Sequence, residues 1–142
     1  MKTVRDILKI KGGDVWSVAA GATVFEALRL MAEKEVGALV VMDARRMARI
    51  ISERDYARKI VLLGRTSPNT RVEEIMSSQV VCTHPDQFIE ECMAIMTDKR
   101  IRHLPVMEEG KLVGIISIGD LVKTIISEQK FTIEQLERYI NG

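Results

Sequence analysis

The sequence predicts an α/β protein built from two tandem β-α-β-β-α units, and three observations predict it. Shifted by 65 residues, the chain aligns with itself without a gap from Val15 to Ile60. Identities include Glu26/Glu91, Met31/Met96, Leu39/Leu104, Val41/Val106, Ile50/Ile115, Ser52/Ser117 and Asp55/Asp120. Agreement of that length marks a duplicated supersecondary unit. In both copies the apolar positions switch between strand and helix spacing in the same order. Both copies also leave their last strand through one signature, RIISERD at Arg49–Asp55 and GIISIGD at Gly114–Asp120.

Each element has its own warrant. A short leading helix opens each copy, VRDIL begun by Thr3 and VEEIM begun by a Thr70-x-x-Glu73 capping box. A first strand follows at Val15–Val18 or Val80–Thr83. An amphipathic helix comes next, opened by Thr23-x-x-Glu26 in one copy and by Asp86 after Pro85 in the other. Ala27, Leu28, Met31 and Ala32 share a face, as do Cys92, Met93 and Met96, and these methionines read as core filler. Two hairpins follow, Ala38–Met42 with Met47–Ile51 and Leu104–Met107 with Leu112–Ile116, the second turning at Gly110, where positive φ is available.

The Ser-x-x-Asp boxes then open helices over Tyr56–Leu62 and Leu121–Glu128. LGRTSPNT reads as a linker, and FTIEQLERYING as a separate last helix capped by Thr132 with Gln135. The expected division is therefore repeat one over 1–65, a linker over 66–70, repeat two over 71–128 and a helical tail over 129–142. One repeat alone has too little core, so the two are expected to pack as a pseudo-twofold pair, sheets central and helices outside.

Composition narrows the function. The 142 residues are 46% hydrophobic and 29% charged with a net charge of +1, which favours a packed fold and gives no general pull toward nucleic acid or membrane. Two cysteines make no disulfide framework, and no apolar run reaches the roughly 20 residues of a membrane span. The start resembles no secretory signal, so a cytoplasmic protein is expected. No nucleophile–base pair, phosphate-cradling Gly-rich loop or metal-ligand spacing stands out, which speaks against an enzyme. His103 and His84 without a Cys/His cluster argue against a metal site, and Arg45, Arg46 and Arg49 read as a polar turn and strand end.

The paired GIISxxD-like segments, the VGALVV and IRHLPV strands and the leading helices ending in IL or IM resemble the CBS-domain pair, or Bateman module, over essentially the whole chain. SERDYARKI, GRTS, RHLPV and SIGDLVK are similar to the small stand-alone two-CBS proteins of bacteria and plant organelles. The resemblance implies an adenine-nucleotide sensor with two clefts between the repeats, holding AMP, ADP, ATP or NAD. One cleft would use Ser117, Gly119 and Asp120 with Val36, Gly37, Ala38 and Trp16. The other would use Ser52, Arg54 and Asp55 with Ile101, Arg102, His103 and Val81. It also implies a homodimer that signals to a separate, unidentified protein. The alternatives are an interaction scaffold with no physiological nucleotide, or an S-adenosylmethionine sensor.

Elementary chemistry is compatible with these roles. An acceptor-only carboxylate suits the two donors of a ribose cis-diol, and a helix N-terminus offers N–H groups to phosphate. On this pairing the Asp120 cleft is expected to be poor in cations, with Lys11 as one source. Arg49 departs from the glycine usual in the family, present here as Gly114, and reads as a solvated strand-end arginine.

Overall fold

The computed structural model describes residues 2–44, 46–77 and 80–141, so Arg45 of the polar turn and Gly142 of the tail lie outside them. The chain forms two compact units, a central one of Asp14–Val81 and a flanking one of Met1–Gly13 with Cys82–Gly142.

In the central unit, β1 (Ser17–Ala19) runs parallel to β2 (Ala38–Asp43), which pairs antiparallel with β3 (Arg46–Ser52). The helix α2 (Val24–Lys34) joins β1 to β2, opened as expected by Thr23 and Glu26: the Glu26 N–H reaches Thr23 Oγ1 at 3.2 Å. After β3 come α3 (Glu53–Tyr56), a wider π-helical turn over Ala57–Val61, a 3-10 turn over Ser67–Asn69 and the short α4 (Val72–Ile75). Val24, Ala27, Met31, Leu39, Val41, Ile51 and Ile60 form a core that Val72 and Ile75 complete.

The flanking unit contains α1 (Val4–Lys11), α5 (Ile89–Lys99), the hairpin β4 (His103–Glu108) with β5 (Lys111–Ser117), and α6 (Ile118–Asn141). Its hairpin turns through Glu109 and Gly110, both at positive φ, where glycine was expected to serve. Both hairpins carry a register shift at matching places, Val41/Met42 and Val106/Met107.

The leading helices follow space rather than sequence order. α4, at the head of repeat two, completes the central unit: the Val72 N–H reaches Ala22 O at 2.8 Å and the Val24 N–H reaches Thr70 O at 2.8 Å. α1, at the head of repeat one, joins the flanking unit through Val4 N–H to Gln87 O at 3.0 Å and Ile89 N–H to Lys2 O at 3.1 Å. In each unit two neighbouring segments, each at a helix start, thus satisfy one another's free N–H groups. Leu8 of α1 lies against Gly114, where an added Cβ would stand 2.7 Å from Leu8 Cδ2. The first glycine of GIISIGD, Gly114, therefore accommodates the leading helix.

Four local expectations fail for identifiable reasons. The strand expected at Val80–Thr83 survives only as a single parallel bridge from Thr83 to Val106. In the central unit that ladder uses Val40 N–H to Trp16 O and Ala20 N–H to Met42 O. The equivalent donors one repeat later are Pro105 and Pro85, which have no N–H. Thr70 does not cap α4: its hydroxyl bonds Thr66 O, while Glu74 takes the Arg71 N–H at 2.6 Å, because the Thr23–Arg71 bridge delays the helix start.

Asp86 does not cap α5 but pairs with Arg5 at 3.2 Å; the cap position is Phe88, whose N–H is held by Glu91 at 3.2 Å. Finally, α6 runs through the expected break at Thr132 as one helix of 24 residues. No Gly or Pro follows Gly119 within it, and the Thr132 hydroxyl bonds back to Glu128 O at 3.0 Å.

Two substitutions test these placements. Thr23→Ala should lower the unfolding free energy by about 1 kcal/mol, the usual worth of an N-cap. Thr132→Ala, now interior, should leave it unchanged or raise it by a few tenths of a kcal/mol through better helix propensity. Urea denaturation followed by circular dichroism checks both, and a loss near 1 kcal/mol at Thr132 would restore the capped-tail reading.

Candidate functional site

In each unit a strand ends on a serine, and the carboxylate three residues later folds back onto it. In the central unit Asp55 Oδ2 accepts from the Ser52 N–H at 2.9 Å and its hydroxyl at 3.1 Å, while the Asp55 N–H donates to Ser52 Oγ at 3.2 Å. In the flanking unit Asp120 Oδ2 accepts from the Ser117 N–H at 2.8 Å, and the Asp120 N–H reaches Ser117 Oγ at 3.2 Å. Both boxes thus cap α3 and α6 as the motif requires.

The start of the preceding hairpin strand stands beside each box. Ala38 pairs with Ser52, and the Glu53 N–H donates to Gly37 O at 3.0 Å. His103 pairs with Ser117, and the Ile118 N–H donates to Arg102 O at 2.9 Å. Val36, Gly37 and Ala38 therefore flank Ser52, Arg54 and Asp55 within the central unit, while Ile101, Arg102 and His103 flank Ser117, Gly119 and Asp120 within the flanking one. Val81 closes the central unit's span. Trp16, also central, has the Lys34 ammonium 4.2 Å from its ring centroid, so its face already carries a cation. A shallow apolar groove of about 330 Å³ adjoins Val36 and Gly37, lined by Leu28, Met31 and Ala32 with the carboxylates of Glu35 and Glu53.

Each box aspartate also faces a lysine, delivered differently. Lys59 lies 3.4 Å from Asp55 Oδ1, one helical turn along the same segment, and donates to Ile75 O at 3.0 Å. One repeat later that position is Thr124, which bonds Asp120 O instead. Lys11 takes over: its ammonium lies 2.7 Å from Asp120 Oδ2 and 2.8 Å from Ile115 O. Gly12, at φ 90°, ends α1 and leaves Lys11 as its last helical residue. With side chains 17% and 19% exposed, Asp55 and Asp120 are sheltered enough for these charges to count.

The electrostatics of the flanking box follow. Burial works against the charge on Asp120, but the Lys11 hydrogen bond, the Ser117 N–H and the Lys11 charge together hold its carboxyl below the ordinary range. Burial lowers the pKa of His103, the Lys11 charge adds to this, and the opposing pull of Asp120 does not restore it. His103 is therefore neutral at pH 7 and able to offer one donor and one acceptor. Lys11 stands beside Asp120, and the Arg102 charge acts on the neighbouring His103. Lys59 is legible in the sequence as an i, i+4 partner of Asp55. Arg49, half-buried beside Ile50 in β3, takes part in the unit's interactions rather than standing free.

Among the described residues no group of three or more His, Cys, Asp or Glu side chains is gathered to hold a metal ion, and no helix is long and apolar enough to cross a membrane. Cys82 is exposed and Cys92 buried, neither in a disulfide.

Known proteins place this architecture. The chain is similar to the mitochondrial CBS domain-containing protein CBSX3 of Arabidopsis thaliana, 37% identical over 149 residues, covering 99% of this chain and 72% of that one. A solved CBS-domain protein from Burkholderia ambifaria MC40-6 superposes with a TM-score of 0.87 at 52% identity, covering 90% of this chain and 96% of the other. The CBS domain pair of MJ0100, solved with 5-methylthioadenosine and S-adenosyl-L-methionine, shares the fold at a TM-score of 0.79 and 22% identity, covering 90% and 98%. The family model of the CBS domain matches residues 4–62 and again 72–127, and the chain belongs to the CBS domain family as a tandem pair.

Proposed function

We propose that this CBS pair is a regulatory module that binds an adenine nucleotide, AMP, ADP, ATP or NAD, and passes the binding event to a separate protein. The observation that carries this reading is the repeated box itself. In each unit a sheltered carboxylate sits at a helix start beside a lysine, where ribose hydroxyls and phosphate oxygens can be met together. Asp120 and Asp55 are the proposed ribose ligands. Ser117, Gly119, Ser52 and Arg54 lie on the phosphate side. The backbone around Val36, Gly37 and Ala38 and around Ile101, Arg102 and His103, with Trp16 and Val81, would read the adenine.

The lysines favour an anionic ligand over the sulfonium cation that MJ0100 holds, since a cation beside Lys11 is repelled. Binding, not turnover, is the proposed activity, with a homodimer as the acting form. Two cysteines outside any disulfide fit a reducing compartment, and the cytoplasm is the proposed one.

Isothermal titration calorimetry on nucleotide-free protein tests the reading. AMP, ADP, ATP or NAD should bind, and Asp55→Ala and Asp120→Ala should each weaken binding at least tenfold, about 1.4 kcal/mol, with the fold retained by circular dichroism. No heat with any of them would leave the boxes as helix caps and favour an interaction scaffold.

A charge test follows from Lys11. Lys11→Met should weaken AMP at least tenfold more than it weakens adenosine, and should bring S-adenosylmethionine closer to AMP in affinity. Equal loss for AMP and adenosine would make Lys11 a structural prop only.

A further inference from the structure

We infer that the outer face of α6 is a self-association seam, at which two copies of the chain pair antiparallel. The inference rests on the homodimer proposed above and names the surface that forms it. α6 has two faces. Leu121 is buried and Thr124, Ile125 and Glu128 are half-buried, the i, i+3, i+4, i+7 stripe by which the helix sits on its own unit. A second stripe lies more than a quarter turn away: Val122, Ile126, Gln129, Ile133, Leu136 and Ile140, spaced alternately by four and three.

That spacing is the a/d pattern of a coiled coil, with isoleucine at three a positions and leucine at a d. Its apolar members are exposed in this chain: Val122 by 40%, Ile126 by 49%, Ile133 by 54%, Leu136 by 56% and Ile140 by 77%. A two-faced helix is expected when each face has a partner, and among the described residues the second face has none. The family match ends at residue 127, so most of this stripe lies beyond the matched CBS domains.

Charge selects the occupant and its direction. Beside the stripe, the e positions are Lys123, Lys130 and Glu137, each one heptad from the next. In an antiparallel pair, e faces e, so Lys130 meets the partner's Glu137 twice over by symmetry. Ile133 packs against the partner's Leu136 and Gln129 against the partner's Ile140, and the seam is carried by Gln129, Ile133, Leu136 and Ile140. A parallel pair would set Lys130 and Glu137 against Ile125 and Thr132 and gain no ion pair. Self-complementarity of this kind is what a twofold interface requires.

The test uses the full chain in analytical ultracentrifugation across a concentration series, with melting curves to confirm folding. Wild type should dimerise, and Ile133→Asp, at an exposed site, should raise the dimer dissociation constant at least tenfold without lowering the melting temperature. Lys130→Glu should weaken the dimer, and Lys130→Glu combined with Glu137→Lys should restore it. A dimer indifferent to Ile133→Asp would overturn the seam while leaving the homodimer standing. A chain that stays monomeric would overturn both. Failure of the double reversal to restore what Lys130→Glu loses would overturn the antiparallel arrangement.

Discussion

A serine N–H at the junction of strand and helix has left one ladder and not yet entered the next, and the rest of the structure is arranged around answering it. The carboxylate three residues on gives the answer at 2.9 Å in one unit and 2.8 Å in the other. Because that acceptor is an anion in a sheltered place, it carries a second demand: burial opposes its charge, so a cation must be near. The chain meets that demand twice by different routes. Lys59 comes from the same helical segment, whereas Lys11 arrives from a helix more than a hundred residues earlier in sequence. What looks like one motif copied is therefore one local solution with two different long-range supports.

The proposed role in nucleotide binding uses the same atoms under a different load. Both the Ser117 N–H and Lys11 fall on Oδ2 of Asp120, so Oδ1 is the oxygen best placed to accept further donors. Cap and ligand site are not rivals here, because holding the carboxylate by one oxygen fixes the direction of the other. Such positioning before a ligand arrives lowers the ordering cost of binding.

Much of this was legible in the sequence because it is local. The boxes, the Thr23–Glu26 cap and the paired hairpins are set by residues within a few positions of one another, and each is where spacing put it. The failures share a physical origin in distance or in a missing donor. No pattern around Val80–Thr83 reveals that its partner strand offers Pro105 where Val40 offers an N–H, and the bond is lost across the ladder. Thr70 and Asp86 were plausible caps, yet the bridges Thr23–Arg71 and Thr3–Phe88 set the true helix starts from far along the chain. Thr132 misled in the opposite sense: a good cap residue stays interior when nothing before it stops the helix. Lys11 faces Asp120 only because α1 joins the flanking unit, and single-sequence spacing cannot show that.

The exchange of leading helices also orders events during synthesis. All of Asp14–Val81 is contiguous, so the central unit can close as soon as α4 has left the ribosome. The flanking unit cannot, because its first helix is made before the central unit and its docking site begins only at Pro85. Through that interval α1 must wait with Val4 and Ile7, fully buried later, still in water. Its strong polar face and the Thr3–Asp6 cap make such a wait tolerable, since a short amphipathic helix with a satisfied N-terminus has less tendency to seek another partner. Duplication has thus given the chain a built-in delay, with one unit complete while the other still waits for its second segment.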